Sequence, residues 1–314
     1  MKAQSLSVVV PNKQCINNCA FCVSHMHTEE YKNLMDDGQP LFDLYLKDYL
    51  KRLDFAQRNG CNTVMLTGNT EPQQNRKFLT YFGLFMQMMR NPFDWIEIQT
   101  TGLLLDRNYL RFLRNHVGVN LISLSVSSFD DDENASIIGM PEGMKVNLRQ
   151  LCADIKEYDF TLRLSLNLNK SFLPEKEDIS LGDNLVASMV WAEELFKKCQ
   201  EFGADQVTMR VLYASDNQTP QSKWVKEHAM PYEYLTAIGN HVQSCGKPLG
   251  ILPYGATKYS LHGMSVVVDN DCMGKGVSNE DNSKLPEQDT YKYLILRPDC
   301  KLYSQWDDKA SLIF

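Results

Sequence analysis

The chain has 314 residues, 43% hydrophobic and 23% charged, with a formal net charge of -7. That profile is a folded globular protein, and no run approaches the roughly 18 consecutive apolar residues of a membrane helix. The acidic balance gives no global attraction for a phosphate backbone, which disfavours nucleic acid as a partner.

Residues 2–10 are too short in apolar positions for a secretory signal and run straight into a cysteine cluster, so they read as the first strand of a cytoplasmic protein. Further β-branched or aromatic runs follow at 63–67, 95–100, 121–126, 161–168 and 206–212. Between them, apolar residues recur at helical spacing: Leu46, Tyr49, Leu50 and Leu53; then Phe82, Phe85, Met86 and Met89; then Leu148, Leu151, Cys152 and Ile155. A helix is expected from an Asp106 N-cap to about His116, another over 185–202 before Gly203, and another over 231–245 before Gly246.

Six strands each followed by a helix require parallel strands with right-handed crossovers. The expected fold is α/β, a partial (β/α)6 TIM-like barrel over residues 1–245. The long irregular segments 23–42, 129–144, 169–184 and 213–230 all follow a strand, so they gather at the C-terminal face, where such folds place chemistry. Past residue 246 the alternation stops. Strands at 264–268 and 291–296, a hairpin partner at 300–303 and a polar loop at 278–289 predict a small C-terminal β-containing extension packed on the barrel.

Nine cysteines is an odd number in a chain large enough to build a core, so a disulfide framework explains them poorly. Cys15, Cys19 and Cys22 form C-x3-C-x2-C directly after the first strand, and three thiolates this close converge on one metal centre. A structural zinc site closes with four protein ligands, which His25 or His27 would have to complete. A conventional four-iron cluster uses four cysteines, so three leave one iron open to another ligand. Cys152 and Cys199 fall on helix stripes as packing residues, as do Met86, Met88 and Met89. Cys245, Cys272 and Cys300 lack any Cys-x-x-Cys pairing and read as isolated thiols.

The triad, with Phe21 just before its third cysteine and its place after strand one, resembles the radical S-adenosylmethionine (SAM) superfamily. The segment Leu66-Thr67-Gly68-Asn69-Thr70-Glu71-Pro72 is similar to that family's Gly-Gly-Glu-Pro motif, with Asn69 in place of the second Gly and Thr70 inserted. The resemblance implies one 4Fe-4S cluster held by Cys15, Cys19 and Cys22, with SAM on its open iron. Phe21 and the run Gly68, Asn69, Thr70 and Glu71 would then lie at the cofactor, Glu71 offering charge to the SAM ammonium. By alternation Ser123, Ser125 and Ser127 share one face of strand four, and Arg163, Ser165, Asn167 and Asn169 one face of strand five. The resemblance makes Ser125, Ser127, Asn167, Arg210 and Leu212 further SAM contacts, and Thr100-Thr101-Gly102 a familiar turn after strand three.

The activity implied is reductive cleavage of SAM to a 5′-deoxyadenosyl radical that abstracts hydrogen from a small-molecule or peptide substrate. An electron donor such as flavodoxin or ferredoxin is the implied partner. An RNA-modifying or glycyl-radical-activating member, and a non-catalytic iron-sulfur or zinc-binding sensor or structural protein, remain the alternatives. His25, His27, Tyr31 and the acidic run 130–133 lie on the long loops as lid or substrate-site candidates, the acidic run reading more simply as a solvated face.

Overall fold

In the computed structural model, which describes residues 2–28, 42–174, 185–252, 256–269, 290–306 and 308–314, all six expected strands form. They are β1 (Lys2–Val9), β2 (Thr63–Thr67), β3 (Trp95–Thr100), β4 (Leu121–Val126), β5 (Thr161–Leu168) and β6 (Gln206–Val211). Each pairs in parallel with the next. Leu6, Val8, Val64, Leu66, Ile98, Ile122, Leu124, Leu162, Leu164 and Leu166 are buried beneath the helices that cross over between strands, as a parallel sheet covered on its outer face requires.

The helices are α1 (Val23–Met26), α2 (Leu46–Arg58), α3 (Arg76–Met88), α4 (Arg107–Phe112), α5 (Asp131–Ile138), α6 (Leu148–Glu157), α7 (Leu185–Glu201), α8 (Pro220–His228) and α9 (Tyr232–Cys245). The expected stripes are buried, among them Tyr49 and Leu53 of α2, Phe82 and Phe85 of α3, and Leu151 and Cys152 of α6. Asp106 caps α4 by accepting the Tyr109 N–H at 2.6 Å. Met88 departs from expectation. It is 68% exposed, because it lies off the stripe of Phe82, Phe85, Met86 and Met89, whose last two members stay buried on either side of it.

Three segments expected to be irregular contain helices: the short α1 within 23–42, α5 within 129–144 and α8 within 213–230. Asp130 accepts the Glu133 N–H to start α5, and Thr219 with Pro220 at the first position starts α8. The acidic run is therefore structural: Asp131 accepts the Leu148 N–H, Asp132 pairs with Lys145, and Glu133 accepts the Ser128 hydroxyl. Tyr31, Cys272 and the polar stretch 278–289 lie outside the described residues.

Residues beyond 246 add β7 (Lys247–Ile251), β8 (Thr257–Leu261), β9 (Met264–Asp269), β10 (Thr290–Leu296) and β11 (Leu302–Tyr303). The sheet order is β11-β10-β1-β2-β3-β4-β5-β6-β9-β8-β7. β9 continues β6 in parallel and β10 continues β1 in parallel, so both edges of the six-stranded unit are covered by the C-terminal segment. The β10–β11 hairpin matches expectation, while β7 and β8 carry no sequence signal strong enough to predict them.

Candidate cofactor and substrate lumen

The cysteine loop leaves the C-terminal end of β1 and is held from two sides. Asn18 N–H donates to the Gly139 carbonyl at 3.0 Å and Ala20 N–H to the Ile137 carbonyl at 2.9 Å, tying the loop to the end of α5. Gly139 has φ +62°, and a Cβ there would stand 2.3 Å from the Asn18 carbonyl oxygen, so only glycine allows this approach. On the other side, the Gln74 side chain accepts the Ile16 N–H and donates to the Gln14 carbonyl.

Burial pushes all three thiols above their ordinary range. Cys19 is pushed furthest, since Cys22 and Cys15 also oppose its ionisation. Backbone N–H groups of Asn17 and Glu71 bond to the Cys15 sulfur, and those of His25 and Ser24 to Cys22, which works the other way. Three clustered, desolvated thiols that repel one another as thiolates would be compensated by a multiply charged metal centre, and this donor set suits an iron-sulfur cluster.

Gly68, at φ +149°, carries the end of β2 against Val9 and Val10. Beyond it, Thr70 accepts from the Asn12 amide at 2.8 Å, and Glu71 turns inward. Glu71 Oε2 accepts from both the N–H and the hydroxyl of Thr101, at 3.0 and 2.9 Å, and Asn17 donates to that same hydroxyl oxygen. The ends of β2 and β3 and the cysteine loop are thus knotted together. Burial raises the Glu71 carboxyl above its ordinary value, against the bonds from Thr101. Asn69 Oδ1, in the lining of the cavity described next, is a buried acceptor without a hydrogen-bond donor, which fits a ligand that brings an ammonium to this strand end.

A cavity of about 790 Å³ runs from Cys19, Phe21 and Cys22 past Gly68 and Asn69 and down the barrel. Asn167, Arg210 and Leu212 line it with the cysteines. Thr70, Glu71, Ser125, Ser127 and Cys15 do not. Ser125 and Ser127 stand one layer behind, both accepting from the Asn167 amide, at 2.9 and 3.1 Å. Phe21 lies 6.3 Å from the Trp224 ring, so α8 roofs the cluster end. His27 stacks on Tyr213 at 6.1 Å.

Deeper in the lumen the polar side chains join. Thr67 donates to Gln99 and Gln99 to Glu97, and Arg163 bonds Glu97 at 2.5 Å while donating twice to the Gln206 side chain. Sequence reasoning assigned no role to Glu97 or Gln99, although Trp95, Glu97 and Gln99 alternate along β3 and that spacing was there to be read. Lys258 and Lys292 also line the cavity, and no local pattern could have placed them, because β8 and β10 reach the lumen only through pairing with β9 and β1.

Residues 9–170 match the family model described as Radical SAM superfamily. The chain belongs to the radical SAM superfamily. Its members are enzymes that use a 4Fe-4S cluster and SAM. A solved structure described as native anSMEcpe with bound AdoMet covers 98% of this chain and 77% of its own, at TM-score 0.59 and 11% identity, a likeness of fold. Coproporphyrinogen III oxidase (HemN) from Escherichia coli matches at TM-score 0.48 and 13% identity, covering 98% of this chain and 62% of its own. A radical SAM methyltransferase from Sphaerobacter thermophilus matches at 0.44 and 15%, covering 85% and 66%. No curated protein matches the sequence. No described helix is long and apolar enough to cross a membrane.

Proposed function

We propose that this radical SAM protein cleaves SAM reductively and directs the product radical at a small-molecule or peptide substrate bound in the barrel lumen. The carrying observation is the single cavity that joins Cys19 and Cys22 to the polar interior of the sheet. Cys15, Cys19 and Cys22 would hold the cluster, with Gly68, Asn69, Asn167, Arg210 and Leu212 disposed around SAM. When bound, these cofactors supply a 5′-deoxyadenosyl radical able to abstract hydrogen, and the electron would come from a flavodoxin or ferredoxin.

The protein's own part is positioning and exclusion of water. The Glu71–Thr101–Asn17 knot sets the cysteine loop against the end of β2. Asn69 Oδ1, which lines the cavity, would accept a hydrogen bond from the SAM ammonium, and Ser125 and Ser127 fix the Asn167 amide. Beyond the Arg163–Glu97 ion pair, the described lining carries the cations Arg210 and Lys258 and no second carboxylate. That lining favours a substrate with an anionic group, in a protein whose overall charge is -7. The eight described cysteines are all free thiols, which supports the cytoplasm as its compartment.

Anaerobic reconstitution of the wild-type chain should incorporate about four irons, and with dithionite it should convert SAM to 5′-deoxyadenosine. Cys19→Ala should lose the iron while Cys199→Ala keeps it. Cluster-loaded protein that binds SAM without cleaving it under any reductant would sink the enzyme reading and leave a sensor.

A further inference from the structure

Far from the cysteine loop, three side chains from three separate segments converge between α7, α9 and the β8–β9 turn. Nε2 of His241 lies 3.0 Å from Oε2 of Glu193, and Nε2 of His262 lies 2.9 Å from the same oxygen. The three ligand atoms all fall within 4.8 Å of one another. Edges of about 3 Å are those spanned by nitrogen and oxygen ligands sitting roughly 2.1 Å from one divalent ion. His241 is 3% exposed, and its Nε2 is buried with no hydrogen-bond partner despite standing 3.0 Å from a carboxylate oxygen. The separation suits a hydrogen bond and the direction does not, so the ring nitrogen is aimed beside the oxygen.

The surroundings hold the three groups ready as ligands. His241 stacks on Phe196 at 5.8 Å, which fixes its ring. Lys197 takes the other carboxylate oxygen, Oε1, at 3.1 Å, leaving Oε2 turned inward. Outer partners of this kind orient a metal-binding carboxylate. Glu193 and His262 are each about a quarter exposed, so solvent reaches the open side.

We propose that Glu193, His241 and His262 form a second metal site, separate from the cluster, for a divalent transition ion of the zinc class. Two imidazoles and one carboxylate suit such an ion and not Mg²⁺ or Ca²⁺, which take oxygen donors. Three protein ligands leave room for water. The ion would pin the turn that joins β8 to β9 onto the helices behind β5 and β6, a clamp between the C-terminal strands and the barrel.

The test uses tag-free, cluster-reconstituted protein, with His262→Asn as the main variant. His262 has φ +51°, which asparagine tolerates, and it sits in a partly exposed turn outside the core, so the variant keeps the fold. Zn²⁺ titration by calorimetry should show one more equivalent in the wild type than in His262→Asn, or an affinity loss of about 100-fold or more. Zn²⁺ should raise the Tm of the wild type and not of the variant, and Glu193→Gln should behave as His262→Asn does. Zinc taken up by stray thiols appears equally in both proteins and cancels in the difference, so the result does not depend on cluster chemistry. Equal stoichiometry, affinity and Tm shift in wild type and His262→Asn would overturn the site, and an equal Tm rise with Mg²⁺ would overturn the ion class.

Discussion

Gly139→Ala tests whether the end of α5 sets the cysteine loop. The new Cβ would lie 2.3 Å from the Asn18 carbonyl oxygen, where 3.0 Å is the practical minimum, so the loop must retreat by about 0.7 Å. Retreat strains the two backbone bonds from Asn18 and Ala20, each worth about 1 kcal/mol, and a left-handed alanine adds about 1 kcal/mol more. A total near 3 kcal/mol lowers Tm by about 5 °C in a chain of this size. Iron content after anaerobic reconstitution should fall well below wild type, because Cys19 lies between the two strained anchors. Gly143→Ala is the control: its φ is +75° but nothing stands within 4 Å of a Cβ there, so it carries the backbone strain alone and should keep its iron. If Gly139→Ala matches Gly143→Ala in both Tm and iron, the α5 end does not position the cysteines.

Two further perturbations probe the lumen and the core. Arg163→Met strands the Glu97 carboxylate, which is 2% exposed and keeps only Gln99 as a donor, and should cost about 3 kcal/mol by denaturant unfolding. Adding Glu97→Gln should recover most of that loss; a double variant no better than the single would show that the pair is not coupled. Burial pushes the Cys61, Cys152 and Cys300 thiols up to about 12 and Cys199 higher still. At pH 8 only about one in ten thousand of the first three is then thiolate, so exposed Cys245 should react with a disulfide reagent well before any of these four in folded protein. Fast labelling of Cys199, read by mass spectrometry, would contradict its complete burial on α7.

Much of this protein was legible from one-dimensional patterns, because those patterns record short-range physics. The six strand and helix alternations follow from apolar periodicity, and the cysteine triad follows from spacing, since eight residues of loop cannot carry three thiols far apart. Asp106 was identifiable as a cap for the same reason. Helices α5 and α8 were missed because caps and a proline start them, while too few apolar positions repeat to show a period.

What only the tertiary structure decided is long-range. The C-terminal segment supplies both edge strands of the sheet, a pairing between residues nearly 290 positions apart in the case of Lys2 and Thr290, which no local pattern encodes. The same pairings bring Lys258 and Lys292 to the lumen and set His262 against Glu193 and His241. Glu71 shows the two levels together. Its place at the end of β2 is written in the sequence, whereas its attachment to Thr101 depends on β3 lying alongside.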